Sequence, residues 1–200
     1  MNKEFDPYNF DFKSYITEMY NLVEMPLRLP HNTPFRMDDY VTNNYEGLQI
    51  EKHGNFLGNW ENYRLFTEKE NNIETYYLLD KNQPHICACH SFERITSPIK
   101  GIENKELWNG KYNKGLVRYW FNKEIIPKEA IIISDKIQSD MGFNFWTSLF
   151  NDYVKTNDSH SMLVIDYNNG NVIKNITNKD EMKEFYSDNK FNFRFILKRK

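Results

Sequence analysis

His85, Cys87, Cys89 and His90 fall within one short stretch, and a cluster of imidazoles and thiols raises the possibility of bound zinc. In an extended strand, however, His85, Cys87 and Cys89 share one face and His90 takes the other, so at most three ligands converge. The same geometry sets the two thiols side by side with parallel directions, which suits a mutual disulfide badly. Two small buried cysteines are the better account of the pair. A Cys–His nucleophile would have to join Cys89 to His53 or His160, with no local motif to support it. Asp135 at a strand end could bind a metal or act in phosphoryl transfer only if Asp140 folded back beside it. Anion chemistry is better served by the start of the helix that follows, capped by Ser139 or Asp140, because backbone N–H groups at a helix N-terminus attract anions. His90 and Glu93, near the end of one β-type segment, are candidate general bases by position alone.

These residues need a scaffold, and residues 130–154 describe its centre. Ala130, Ile131, Ile132 and Ile133 form a continuous apolar run, the pattern of an interior strand covered on both faces. Ser134 and Asp135 break it. Phe145, Trp146, Leu149, Phe150, Tyr153 and Val154 then recur at helical spacing, with Trp146 read as core. A β-type run over 161–167 completes a strand–loop–helix–strand unit. Upstream, a helical stripe covers 12–23 and ends before Pro26. Residues 26–44, with three prolines, read as loop. Four β-type segments follow near 45–53, 62–68, 73–79 and 85–94, the last two joined by a turn at 80–84. Residues 95–113 read as loop, and Leu116, Val117, Trp120 and Phe121 mark a helix that stops before Pro127. A short helix at 179–188 and a half-buried strand at 191–197 close the chain. The expected fold is a single mixed α/β domain over 1–200, a central mixed sheet flanked by helices.

Composition narrows the partners. A formal charge of -2 gives no bulk electrostatic drive toward nucleic acid. No apolar run reaches membrane-spanning length, and no secretory leader pattern opens the chain, so a cytoplasmic protein is expected. Thirteen Tyr and fifteen Phe, spread throughout, argue for a packed core rather than disorder. Abundant Asn, Lys and Ile with scarce Ala fit an AT-rich genome, such as that of a bacteriophage.

The segment from Ile133 onward resembles the C-terminal half of the GNAT family of N-acetyltransferases. In that family a strand runs through a Gln or Arg into a glycine-rich loop whose N–H groups hold the pyrophosphate of acetyl-CoA. Gln138 stands at the Gln/Arg position. Met141 and Phe143 stand where the family has glycines, and Gly142 is one place out of register. Met162 to Asn169 is similar to the family's next strand, and Tyr186 and Phe191 keep the spacing of its tyrosine and phenylalanine, with Lys190 in place of a glycine. The resemblance implies an acyl-CoA-dependent transfer of acetyl to an unidentified amine, residues 138–143 at the cofactor, and Tyr186 as the acid that protonates the leaving thiolate. The alternative is a catalytically inactive protein on the same scaffold, such as a phage factor that binds and inhibits a host protein. Aromatic clusters such as Tyr8, Phe10 and Phe12 would then serve as interface anchors.

Overall fold

The computed structural model describes residues 40–110, 113–135, 140–186 and 192–200. The helix expected at 12–23 and the cluster Tyr8, Phe10 and Phe12 lie outside them. Among the described residues nine strands form one continuous sheet. They are β1 (Asn55–Trp60), β2 (Tyr63–Glu70), β3 (Ile73–Asp80), β4 (Ile86–Ile95), β5 (Gly101–Asn109), β6 (Ile131–Ile133), β7 (His160–Asp166), β8 (Val172–Ile176) and β9 (Phe193–Arg199). The spatial order is β1-β2-β3-β4-β5-β6-β9-β7-β8, antiparallel throughout except for the parallel pair β5/β6. That is the mixed α/β architecture expected from the sequence, and β6 lies inside the sheet as its apolar run required.

Parallel pairing needs a crossover, and α2 (Leu116–Trp120) provides it, extended by a π-helical turn over Phe121–Ile125. A second helix, α3 (Asp140–Leu149), likewise continues as π-helix over Phe150–Thr156 before β7. Both helices cover one face of the sheet. Val117, Trp120, Phe121, Trp146, Leu149 and Phe150 pack there on Ala88, Phe92, Ile102, Ile132, Val164, Phe195 and Leu197. The alternate residues of the same strands build the opposite face. Ile133, Ile165 and Ile196 form one cluster on it, and Phe66, Tyr77, Leu79, Ile86 and Cys89 form another beneath Ile50 of α1 (Tyr40–His53), the first helix among the described residues. The short α4 (Lys179–Lys183) starts at a capping box in which Asn178 accepts from the Asp180 and Glu181 N–H groups. Among the described residues no helix is long and apolar enough to cross a membrane.

Four expectations fail, each for a physical reason. Residues 45–53 are helix, not strand, and the helix begins at Tyr40, inside the stretch read as loop: α1 presents Asn43, Gly47 and Ile50 to β4 and the 80–84 turn, a helical spacing concealed because two of the three contacts are not apolar. Residues 101–109 are strand, not loop, since β5 turns charged side chains inward where they pair with each other. The strand β9 is not half-buried: it is inserted between β6 and β7, and Arg194 to Leu197 are all buried. The helix expected at 179–188 is helical only to Lys183.

Candidate ligand crevice

Two strands that run parallel begin together and then separate. β5 pairs with β6 only at Ile102↔Ile132 and Glu103↔Ile133. Two residues later the β4/β5 ladder slips, with Phe92 opposite Asn104 and Ser91 opposite Glu106, which leaves Lys105 as the extra residue of a bulge. A bulge bends its strand. β5 therefore runs on to Asn109 without β6 beside it, while β6 ends and its chain turns away through Ser134, which bonds to β9 through both its N–H and its hydroxyl. Six residues of β5, about 20 Å at about 3.3 Å each, thus lie past the last pair with β6.

Each strand feeds a helix at this carboxyl end. From β5 the chain passes Gly110 and Gly115 into α2, where the Asn109 Oδ1 accepts the Val117 N–H at 2.8 Å. Gly115 has φ 81°, a conformation that L side chains rarely adopt, and a Cβ there would meet no atom within 4 Å. From β6 the chain passes through Ser134 and Asp135 into α3. In open sheets, ligands lodge at such carboxyl ends, where the connections diverge.

The candidate site residues divide around this crevice. Gln138 and Ser139 lie outside the described residues. Asp140 and Met141 open α3, and Gly142 and Phe143 sit in its first turn rather than in an open loop. Phe143 packs on Tyr186, ring centroids 4.4 Å apart, so two of the candidates touch. Glu93 and His90 do not, because they project from opposite faces of β4.

Glu93 belongs to a charged cluster on the α1 face. Across the ladder stands Glu103, and Lys105 bridges the two carboxylates at 2.8 and 3.3 Å. Glu103 also accepts the Tyr167 hydroxyl at 2.9 Å and lies 3.9 Å from Arg194, whose guanidinium stacks 4.6 Å from the Tyr167 ring. Burial opposes the Lys105 charge, but the Glu93 hydrogen bond and the Glu103 carboxylate hold its pKa above the usual range. Burial also raises the Tyr167 pKa, reinforced by its bond to Glu103. Sequence reading missed Glu103, Lys105, Tyr167 and Arg194. The available signal was the charge alternation of Glu103 and Lys105 after Ile102.

His90 is a different kind of residue. It is 1% exposed and sits among the rings of Phe92, Trp120, Phe121 and Phe145. Burial pushes its pKa down to about 3, with only the nearby Asn104 working the other way. A neutral imidazole so placed is no general base for a solvent-borne substrate. Cys89 is buried and its thiol pKa is raised by burial, with the Glu106 charge adding to it, so the nucleophile reading fails as well. No group of His, Cys, Asp and Glu able to hold a metal exists among the described residues. Comparison with known proteins finds no matching family model, no matching curated protein and no matching solved structure.

Proposed function

We propose that the protein is an acyl-CoA-dependent N-acyltransferase whose cofactor lies in the crevice between β5 and β6. The observation that carries this reading is the parallel pair that holds for two residues and then opens at a bulge, with a glycine-flanked helix start at the far end. A ligand that fits is long, extended and anionic at one tip. Acetyl-CoA is such a molecule: its diphosphate would meet the positive end of α2 near Gly115, and its arm would run along the free edge of β5. The thioester would then reach the level of Glu103. The strand–glycine–helix connection of the GNAT resemblance would then correspond to the passage from Asn109 through Gly110 and Gly115 into α2. The Glu93–Lys105–Glu103 set is the proton-accepting group, and its carboxylates favour a cationic amine as acceptor. Tyr186 remains the candidate acid. The buried free thiols Cys87 and Cys89 support a reducing, cytoplasmic location.

Calorimetry with acetyl-CoA tests the reading. Binding in the micromolar range is expected, weakened at least tenfold by Gly115→Asp, which sets a negative charge against the diphosphate. Absence of heat up to millimolar cofactor would remove the proposal. The packing of Phe143 on Tyr186 favours a second reading, a non-catalytic binder of a host protein, because the phenol is partly covered. Tyr186→Phe separates the two: acyl transfer should drop sharply, whereas capture of a protein partner should survive.

A further inference from the structure

The described core leaves several buried polar atoms without a hydrogen bond, and three of the residues gather in one place. The Nε1 of Trp120 makes none, and the ring nitrogens of His90 and the Oδ1 of Asn104 have at most each other at long reach, although each residue is nine-tenths or more buried. His90 and Asn104 lie on the same face of adjacent strands, and Asn104 is close enough to influence the ring. The Trp120 ring centroid is 6.2 Å from that of His90. Orphaned polar atoms in a core are destabilising unless a guest satisfies them. Nor is the location arbitrary. Asn104 is the first residue of β5 beyond its last pair with β6, so the cluster lies at the inner end of the crevice, on the helix-covered side.

We propose that His90, Asn104 and Trp120 form a buried binding site for the uncharged polar end of a small ligand, an amide or an alcohol, which enters between β5 and β6. The donor and acceptor inventory fits such a group. The indole N–H donates, the Asn104 oxygen accepts, and a neutral imidazole offers one of each. Phe92, Phe121 and Phe145 wall the site with aromatic rings and exclude a charged end, whose desolvation nothing nearby would offset. The inference goes beyond the acyl-CoA reading, since this site lies on the face of the sheet opposite the Glu93–Lys105–Glu103 set, and its test does not require that cofactor.

The probe is propionamide, with propionate as its charged counterpart of similar shape. The full chain is titrated with each to tens of millimolar while the Trp120 indole N–H and the His90 ring nitrogens are followed by NMR. Propionamide should shift both sets of signals saturably, and propionate should leave them unmoved. His90→Phe and Asn104→Leu, checked for retained fold by circular dichroism, should each weaken propionamide at least fivefold. No saturable shift would overturn the proposal, as would equal response to propionate, or a long-lived internal water at these atoms that the amide does not displace. If acetyl-CoA fails to bind while propionamide shifts the signals, the cofactor reading falls and this site stands. If acetyl-CoA binds and His90→Phe leaves the amide response intact, the reverse holds.

Discussion

A histidine held neutral in a core couples stability to pH, and His90 does so with a defined sign. Its folded pKa of about 3 lies below the ordinary value of 6.5. Between those values the unfolded chain binds a proton that the folded chain refuses. Stability is therefore full above about pH 6.5 and is lost as pH falls toward 3, by about 1.4 kcal/mol per pH unit. Glu124 and Glu181, whose pKa values are lowered, give loss in the same direction at lower pH, so the difference between variants is what counts. Urea midpoints from pH 4 to 7 should fall less steeply in His90→Phe than in the parent chain; parallel curves would mean that the ring is hydrated. Asn43 makes a second residue-scale case. Its fully buried amide donates to the Ile86 carbonyl at 3.0 Å and accepts the Ile86 N–H at 2.7 Å, as a neighbouring strand would. Asn43→Ala should cost about 2–3 kcal/mol by denaturant titration, because it strands two buried backbone groups.

The elements divide by how they meet their neighbours. Those that pack through apolar side chains were legible: β2, β3, β4, β6, β7 and the helix from Asp140 onward all follow from runs or stripes of Ile, Leu, Phe and Trp. Those that pack through something else were not. Helix α1 approaches the 80–84 turn through Gly47, where an added Cβ would lie 1.5 Å from the Pro84 carbonyl oxygen. Strand β5 turns Glu103 and Lys105 toward Glu93, Tyr167 and Arg194, and no periodicity of apolar residues records an ion cluster. The crevice was hidden for the same reason, since it depends on β5 and on a bulge at Lys105. Sequence spacing instead directed attention to the β6 side and to Gln138 through Phe143. Two substitutions test these element contacts by thermal unfolding. Gly47→Ala should destabilise by more than its helix propensity could repay, because α1 must move off the turn. Ile132→Asp should abolish folding, as it places an unpaired charge at a residue 1% exposed in the middle of the sheet.

At the scale of the whole molecule, one sheet organises everything described. Helices α2 and α3 bury one face, α1 buries part of the other, and the strands left at the margins are β1 and β8. These margins carry the most exposed large apolar residues, Phe56 at 53% and Val172 at 57%, while the interior of the sheet is fully engaged except where β5 leaves β6. The opening thus interrupts the sheet between its two halves, β1–β5 and β6–β9, whose strands are joined by two residue pairs while one helix-side cluster spans both. A ligand lying along β5 would restore contact between the halves, so its binding energy should appear as stability of the entire fold. At a hundred times its dissociation constant a ligand adds about 2.7 kcal/mol. For a chain of this length that corresponds to a rise in melting temperature of about 5–10 °C. Acetyl-CoA should produce a shift of that size in a single cooperative transition. Gly115→Asp should retain the transition and lose the shift. A transition that splits in two without ligand and merges with it would locate the weak seam at β5/β6 directly, whereas an unchanged melting temperature at saturating cofactor would mean that nothing bridges it.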